Sequence, residues 1–414
     1  MWGLPMAELA KSAPWLTIIG IGEDGISGLG DEAKRRIGAA DLVCGGKRHL
    51  ELAGDLITGE RHIWLSPIET SVQVIKAARG RNVCVLASGD PFHFGMGATL
   101  VRSIDPGEMF TIPAPSSFSL AASRLGWALQ DVALVSLHGR PLDLVRPHLQ
   151  PGTRILALTS DETGPQALAE LLSASGFGGS GLTVLEALGG AHERISRHRA
   201  DDFTLDGVAT LNVCAIEVVA GENARVLPLA SGLDDGLFEH DGQITKREIR
   251  ALTLSSLAPR KGELLWDIGG GSGSISIEWM LAHPSMRAIA IEANAERAER
   301  IGRNAASFGV PGLQVVMGSA PEALTDLVSP DAVFIGGGGS DPGVIAAGIA
   351  ALGAGGRLVA NAVTLEMEAI LLDHHARLGG SLVRIDVSRA SPVGGMQGWR
   401  PAMPVTQWSW VRKD

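Results

Sequence analysis

The sequence predicts an α/β protein of two domains, and three observations indicate this. Short apolar runs rich in β-branched residues alternate with helix-like segments, a pattern typical of parallel α/β architecture. The alternation occurs in two separate sets along the chain. The 414 residues include 54 glycines, which suits many tight turns between strands and helices. At this length each half can bury a core of its own.

The first set of predicted strands lies in the first half of the chain. Its members are Thr17–Ile19, Val83–Leu86, Leu134–Leu137, Ile155–Leu158 and Val213–Val219. A polar, glycine-bearing stretch from about Gly221 to Gly242 follows, and it contains Pro228 and the pair Asp234-Asp235. Such a composition is typical of a boundary between domains. We therefore predict a first domain over residues 1–225 and a linker over residues 226–241.

The second set of predicted strands follows this stretch, with helical segments between them. Its members are Leu264–Trp266, Ala288–Ile291, Val315–Met317, Ala332–Ile335 and Leu358–Ala360. Five apolar strands separated by helices predict a doubly wound sheet. The second domain is therefore predicted over residues 242–414.

Charge and cysteine usage narrow the class of protein. The formal net charge of -10 argues against general affinity for nucleic acid or for an anionic membrane, and favours a small substrate. The cysteines Cys44, Cys84 and Cys214 form no C-x-x-C pair, so neither a disulfide framework nor a metal site is expected. Neither an export signal at the N-terminus nor an apolar run of about 18 residues is evident. These observations predict a cytoplasmic protein.

A glycine-rich loop ends the first strand of the second domain. It reads Asp267-Ile268-Gly269-Gly270-Gly271-Ser272-Gly273, and a helical pattern follows. Glycines at such a turn let the backbone approach a ligand and leave helix N-terminal amides free, although they also serve plain tight turns. Ser274 and Ser276 stand where a dinucleotide fingerprint needs glycine or alanine, which disfavours an NAD-dependent oxidoreductase. The loop instead resembles the D-x-G-x-G-x-G arrangement of class I methyltransferases, with Glu292 ending the next strand as the acid that would hold ribose hydroxyls.

The second half is similar to the corrin-pathway C15 methyltransferase/decarboxylase family. Four segments carry the resemblance in order: residues 242–257, the glycine loop, Gly318–Leu324 and Gly336–Ser340. The resemblance implies a Rossmann-like class I fold and contacts with S-adenosylmethionine at Thr245, Gly269, Gly270, Gly271, Ser272, Gly273, Glu292 and Ala320. Thr245-x-x-Glu248 is also a capping box for a helix. Capping and ligand contact therefore both stay open for Thr245.

The first half resembles the tetrapyrrole methylase family, and most closely its C5-methylating members. The resemblance is carried by Ile19–Gly25, Gly45–Arg48, Ala87–Pro91, Pro113–Ser117 and Ser136–Arg140. It implies a class III fold of two α/β subdomains with cofactor contacts at Ser88, Gly89, Asp90, His93, Ser116 and Ser117. The first loop departs from the family, because Gly22-Glu23-Asp24-Gly25 stands where many relatives read G-x-G-P-G. Taken alone, Gly89-Asp90-Pro91 would be a plain turn.

The two resemblances together match a bifunctional family, the decarboxylating C5,15-methyltransferases of cobalamin biosynthesis. This implies two methyl transfers from S-adenosylmethionine to precorrin-6Y, at C5 and C15, with one cofactor site in each domain. It also implies loss of carbon dioxide from the ring C acetate, giving precorrin-8. Members of both resembled families associate, so a homo-oligomer is expected. In the alternative interpretation, one half binds the cofactor only to regulate the other.

A polycarboxylate substrate needs cationic partners, even on an acidic protein. The candidates are Lys47-Arg48-His49, His138-Gly139-Arg140, Arg194 with Arg197-His198-Arg199, Arg389 and Arg400. His138 and Arg140 are preferred because they follow a predicted strand end; a solvated surface is the alternative for each cluster. His374-His375 is interpreted as surface histidines. Thr364 and Glu366 either line the pocket or cap a helix.

Overall fold

The computed structural model describes residues 14–413, which form two compact units. Unit 1 contains the chain up to Leu142 together with Gln150–Arg225, and unit 2 contains Asp143–Leu149 and the chain from Val226 onwards. The prediction that no export signal is present concerns residues 1–13, which lie outside the described residues. Within residues 14–413, no helix has both the length and the apolar character needed to cross a membrane.

Unit 1 begins with a sheet of five parallel strands. They are β1 (Leu16–Ile21), β2 (Leu42–Gly45), β3 (Glu60–Ile63), β4 (Val83–Ser88) and β5 (Met109–Ile112), in the order β3-β2-β4-β1-β5. Helices α1 (Asp31–Gly38), α2 (Lys47–Ala53), α3 (Ile68–Ala77) and α4 (Met96–Leu100) connect them. The central strand β1 is buried along its whole length, as expected of a parallel strand covered on both faces.

A second sheet completes unit 1. Helix α5 (Ser117–Leu125) leads to β6 (Val132–Ser136), β7 (Arg154–Leu158), α6 (Gly164–Ala174), β8 (Gly181–Glu186), β9 (Arg194–Arg199) and β10 (Asn212–Glu217). The strand order is β6-β7-β10-β8-β9. Of the neighbouring pairs, only β6 with β7 is parallel, and the other three are antiparallel. The expectation of parallel architecture throughout the first set was therefore wrong for this sheet. The connection between β8 and β9 is too short for a crossover, so these two strands pair antiparallel.

Unit 2 contains the predicted doubly wound sheet. Its strands are β11 (Leu264–Ile268), β12 (Arg287–Glu292), β13 (Gln314–Met317), β14 (Ala332–Ile335), β15 (Arg357–Ala362), β16 (Ser381–Ile385) and β19 (Val405–Val411), in the order β13-β12-β11-β14-β15-β19-β16. The first five are parallel, and β19 runs antiparallel to β15 and β16. Strands β17 (Ser388–Val393) and β18 (Met396–Pro401) form a separate hairpin.

Helices cover both faces of this sheet and bury two apolar clusters. They are α7 (Arg247–Leu257), α8 (Ser274–Leu281), α9 (Ala295–Ser307), α10 (Val344–Ala351) and α11 (Leu365–Leu378). Residues 226–241, which the sequence predicts as a linker, pack into one of these clusters through Leu227, Leu233 and Phe238. The buried Glu278 carboxylate also accepts hydrogen bonds from the backbone amides of this stretch. The structure therefore gives residues 226–241 to unit 2.

The strand order of unit 2 changes direction between β11 and β14. The chain runs from β11 outward to β12 and β13, and then returns to β14 on the other side of β11. Loops that leave the carboxyl ends of two such strands turn apart and open a crevice, which is where α/β sheets bind ligands. This switch point positions the site of unit 2.

Candidate active sites in the two units

A cavity of about 580 Å3 opens at this switch point, a volume typical of ligand sites. On the side of β11 and β12 it is lined by Gly269, Gly270, Gly271, Ile291, Glu292 and Ala320. On the side of β14, β15 and the hairpin it is lined by Phe334, Gly336, Gly337, Gly338, Asn361, Val363, Arg389 and Met403. The first side carries the predicted cofactor residues, and the second side supplies a separate, more apolar wall.

The glycine loop needs glycine for steric and conformational reasons. Gly269 has φ +75°, and a Cβ there would lie 2.6 Å from the backbone nitrogen of Gly337. Gly271 has φ +59°, in the left-handed region that glycine populates freely. Its amide donates a hydrogen bond of 2.8 Å to Glu292 Oε2, and the Asn294 amide donates one of 2.9 Å to Glu292 Oε1. The loop therefore holds the Glu292 carboxylate at the end of β12, on the cavity wall.

Asp267 lies beneath this loop and is almost completely buried. Its Oδ2 accepts hydrogen bonds from the Ser276 hydroxyl (2.7 Å) and amide (3.2 Å). Its Oδ1 has no hydrogen-bond partner within residues 14–413. Burial raises the pKa of the Asp267 carboxyl to about 7, and the nearby Glu292 carboxylate acts in the same direction. A buried acceptor without a partner is costly, and Asp267 lies beneath the cavity without lining it.

Most of the predicted cofactor residues of the second domain line the cavity. Those that line it are Thr245, Gly269, Gly270, Gly271, Glu292 and Ala320. Ser272 and Gly273 are not among the lining residues. Gly273 is the N-cap of α8, and the Ser272 carbonyl accepts a hydrogen bond from Asn304.

The capping interpretation of Thr245 was wrong. Helix α7 begins at Arg247, its N-cap is Lys246, and this residue makes no side-chain capping bond. Thr245 therefore lies one position before the cap, too early for its hydroxyl to close a capping box. Glu248, the other member of the predicted box, forms an ion pair with Arg389 instead. Of the two interpretations, only a place on the cavity wall remains for Thr245.

Asn361 is a lining residue that sequence reasoning missed. Its Nδ2 donates to Thr253 Oγ1 (2.9 Å), and its Oδ1 accepts from Gln407 Nε2 (2.9 Å). These partners fix the orientation of the amide at the end of β15. The available signal was a single polar side chain near the carboxyl end of an otherwise apolar strand, the edge where α/β sheets bind ligands.

Thr364 and His374, in and before α11, have structural roles. Thr364 is the N-cap of α11, and its hydroxyl accepts from the Met367 amide (3.3 Å), which supports capping over pocket lining. The His374 ring stacks on Trp408 with centroids 5.6 Å apart.

In the described part of the chain, no group of three or more histidine, cysteine, aspartate or glutamate residues is arranged to hold a metal ion.

In unit 1 the predicted motifs meet at the carboxyl ends of β1, β4 and β5. The Gly89 amide donates to the Ile21 carbonyl (3.2 Å), and the Ala114 amide donates to the Gly89 carbonyl (3.2 Å). A Cβ on Gly20 would collide with this same Gly89 carbonyl. Three loops that are distant in sequence are therefore in backbone contact.

Ser88 is the centre of a polar cluster beside these loops. Its hydroxyl lies 2.9 Å from Arg48 Nη2 and 2.8 Å from His49 Nε2, and Arg48 also forms an ion pair with Glu23. Arg48 Nη2 is 3.1 Å from His49 Nε2, and a guanidinium can only donate, so Nε2 accepts. Burial, together with the Arg48 charge, lowers the pKa of His49 to about 4. The imidazole is therefore neutral at pH 7.

The remaining predicted cofactor residues of unit 1 lie around α5. Asp90 Oδ1 accepts from the Phe92 amide (2.8 Å), which makes a turn after β4. The His93 ring lies 5.1 Å from the rings of Phe94 and Phe118, measured between centroids. Ser116 is the N-cap of α5, and Ser117 is the first residue of that helix. Both the turn and the cap present backbone groups at the same edge as Ser88 and Gly89.

The predicted substrate residues of unit 1 lie at the end of β6, in the second sheet. His138 Nδ1 is 3.3 Å from the Thr159 carbonyl oxygen, and Arg140 is exposed. Two other basic candidates have carboxylate partners within the fold. Arg194 binds the buried Glu186, and Arg199 binds Asp201. Arg194 and Arg199 therefore have structural roles in the observed geometry.

Comparison with known proteins shows a match for each half of the chain. A family described as tetrapyrrole (corrin/porphyrin) methylases matches residues 16–204, and a precorrin methyltransferase domain matches residues 236–412. The chain is 71% identical to "precorrin-6Y C(5,15)-methyltransferase [decarboxylating]" of a Sinorhizobium species, over 98% of each chain.

Two single-function relatives from Salmonella typhimurium match shorter parts of the chain. A "cobalt-precorrin-6B C(15)-methyltransferase (decarboxylating)" is 34% identical over 39% of this chain and 85% of its own. A "cobalt-precorrin-7 C(5)-methyltransferase" is 32% identical over 44% of this chain and 88% of its own. With a relative this similar over its full length, and with both domain types present in the same order, the chain belongs to the family of decarboxylating precorrin-6Y C5,15-methyltransferases.

Proposed function

We propose that this chain methylates precorrin-6Y at C5 and C15 and removes carbon dioxide from the ring C acetate, giving precorrin-8. The observation that carries the proposal is the full-length similarity to a protein named for both methylations and the decarboxylation. The existence of separate C5 and C15 relatives, each similar to less than half of the chain, supports one activity for each unit. An oxidoreductase is not favoured, because both matching families are methyltransferases.

The family implies use of S-adenosylmethionine, and we propose one site in each unit. In unit 2 the residues present fit this group. The backbone at Gly269 and Gly271 has no side chain in the way of a ligand, and Glu292 offers two carboxylate oxygens to a ribose diol. The cofactor supplies an electrophilic methyl group. The glycine loop and Glu292 would hold its adenosyl part, leaving the β14 and β15 side of the cavity for the substrate.

Positioning accounts for much of the chemistry proposed for unit 2. Transfer of a methyl group requires the ring carbon to lie in line with the methyl donor, and holding the two reactants in this geometry can lower the barrier by about 7–11 kcal/mol. Loss of carbon dioxide leaves an electron pair that the conjugated ring accepts. The apolar side chains Phe334, Val363 and Met403 would exclude water from the leaving carboxylate.

In unit 1 we propose that the loops after β1, β4 and β5 hold the second cofactor. Ser88, Gly89 and Asp90 follow β4, while Ser116 and Ser117 begin α5 at the same edge. His93 lies beside them, against Phe118. The ion pair between Arg48 and Glu23 fixes the first loop close to Ser88. Substrate contacts at His138 and Arg140 remain a prediction for this unit.

The test is an incubation of the purified chain with precorrin-6Y and S-adenosylmethionine labelled with 13C in its methyl group. Nuclear magnetic resonance of the product should show label at both C5 and C15, and an unlabelled methyl where the ring C acetate stood. Label at a single position, or at other ring carbons, would contradict the proposal. The cytoplasmic location and the homo-oligomeric state also remain predictions. Size-exclusion chromatography with light scattering would check the oligomeric state.

A further inference from the structure

We propose that Arg389 binds a carboxylate of the substrate in the unit 2 cavity, and that it does so by exchanging this carboxylate for Glu248. In the structure the Arg389 guanidinium forms an ion pair with the Glu248 carboxylate. This inference rests on the proposed function, because it takes the occupant of the cavity to be a polycarboxylate ring. It goes further by naming the side chain that recognises the ring and the partner that must leave.

The geometry places both partners on the cavity wall. Glu248 lies in the first turn of α7, and Arg389 lies on β17 of the hairpin, so the ion pair joins two elements at the mouth of the cavity. Their side chains are 43% and 47% exposed. An ion pair this exposed contributes little to stability, so a competing carboxylate can displace Glu248 at little cost.

Arg389 lies on the other side of the cavity from the glycine loop and Glu292. Gly269, Gly271 and Glu292 lie on the β11 and β12 side, whereas Arg389 accompanies Asn361 and Val363 on the other. Arg297, another lining cation, is bound by Asp241 and follows β12 on the cofactor side. Arg389 is therefore the guanidinium suited to a ligand in the substrate half.

Arg400 strengthens the case for an anion at this place. In the hairpin, Arg400 is the direct cross-strand neighbour of Arg389. Like charges directly opposite each other destabilise a strand pair. Within residues 14–413 no carboxylate forms an ion pair with Arg400. Arg400 is not itself a lining residue of the cavity, but two neighbouring guanidiniums on one hairpin are complementary to a ligand that carries several carboxylates.

Charge also decides which carboxylate Arg389 binds. In decarboxylation the bond between the carboxyl carbon and the side-chain methylene breaks, its electron pair enters the ring, and neutral carbon dioxide leaves; a proton from solvent then converts the methylene into the methyl group of the product. A guanidinium bound to that carboxylate would stabilise the charged starting state more than the transition state, and would slow the step. Arg389 therefore binds a side chain that the product retains. The acetate that is lost would lie against the apolar wall formed by Phe334, Val363 and Met403.

The two members of the ion pair should have opposite effects on substrate binding. Arg389→Gln removes a charge-assisted hydrogen bond worth about 1.5–3 kcal/mol, so the KM for the ring should rise by roughly tenfold or more. Glu248→Gln frees Arg389 from its competitor, so the same KM should fall several-fold. The kcat of C15 methylation and decarboxylation, followed by mass spectrometry, should change little in either variant. A purely structural ion pair would instead make both variants worse, and this result would overturn the inference.

Matched variants separate partner exchange from other effects. Arg377 and Asp373 form an exposed ion pair of the same unit outside the cavity, and Arg377→Gln and Asp373→Asn should leave KM unchanged. In the Arg389→Gln background, Glu248→Gln should lose most of its effect; an undiminished effect would mean long-range repulsion and would contradict exchange. The KM for S-adenosylmethionine should stay constant.

Two outcomes distinguish the inference from the proposed function. If the natural protein does not turn over precorrin-6Y, the proposed function fails. If it does, and Arg389→Gln and Glu248→Gln shift the KM for the ring in the same direction, only this inference fails.

Discussion

At the residue scale, the burial of Asp267 makes the stability of unit 2 depend on pH. The carboxyl is buried, and its pKa is raised to about 7 in the folded protein from an ordinary value near 4. Because the folded state holds the proton more tightly, ionisation costs stability as pH rises from about 4 to about 7, and the cost stays constant above this range. The difference between these two pKa values corresponds to a loss in unfolding free energy of about 4 kcal/mol at most.

We therefore expect Asp267→Asn to gain stability relative to the natural protein as pH rises across this window. The asparagine oxygen can still accept from Ser276, while the amide cannot ionise. Denaturant unfolding at several pH values, combined with hydrogen exchange of the amides in β11 and β12, measures the difference. A difference in unfolding free energy that does not vary with pH would contradict a raised pKa at Asp267.

Glu292 provides a second test at the same scale. Glu292→Gln keeps the shape of the side chain but replaces one of the two acceptor oxygens by a donor, so it can no longer accept from both the Gly271 and Asn294 amides and hold a carboxylate toward the ribose. The KM for S-adenosylmethionine in C15 methylation should rise by roughly tenfold or more, as expected for loss of a charged hydrogen bond.

C5 methylation should keep its KM in this variant. Glu296→Gln is the matched control, since Glu296 is a nearby exposed acid outside the cavity that pairs with Arg300. Equal losses in the two methylations would show that Glu292 acts on the fold of the whole chain rather than on one cofactor site.

Thr364 tests, at the element scale, the assignment of a helix cap. Thr364→Ala removes the hydroxyl that accepts from the Met367 amide at the start of α11, and should lower the unfolding free energy by about 1 kcal/mol. Thr364→Ser retains the hydroxyl and should restore most of this loss. Neither variant should change the KM for S-adenosylmethionine or for the ring. A raised KM for the ring would indicate that Thr364 lines the cavity.

The apolar parallel strands could be predicted from sequence, while the polar antiparallel ones could not. Strands β11, β12 and β14 contain apolar runs (264–266, 288–291 and 332–335) because both faces of the sheet are covered. By contrast, β9 reads Arg-Ile-Ser-Arg-His-Arg and is mostly exposed, so its local pattern indicates no strand. Its pairing with β8 comes from the hairpin connection, which periodicity does not reveal.

The same distinction separates the predicted cofactor residues from the opposite side of the cavity, where Arg389 was predicted as a cationic candidate and Asn361 was missed. The glycine loop and Glu292 follow two strands that are consecutive in sequence, so a local motif contains them. Asn361 reaches the cavity because the sheet order places β15 beside β14, and Arg389 reaches it from the separate β17–β18 hairpin. Arg389 could be noted from sequence as a cation, but its pairing with Glu248 depends on long-range packing.

At the scale of the whole molecule, the account predicts two chemically separate sites on one chain. Gly271→Val, which places a branched side chain at a backbone φ of +59°, should abolish C15 methylation and decarboxylation but leave C5 methylation. Asp90→Asn should have the converse effect. If one of the two variants loses neither methylation, the regulatory interpretation of that unit gains support.

The most direct test of the central claim is the mass of the product made by the purified natural chain from precorrin-6Y and excess S-adenosylmethionine. The account predicts a product that has gained two methyl groups and lost one carbon dioxide, with two molecules of S-adenosylhomocysteine formed for each ring. A product with a single added methyl group, or with its carboxyl groups all retained, would contradict a bifunctional decarboxylating methyltransferase.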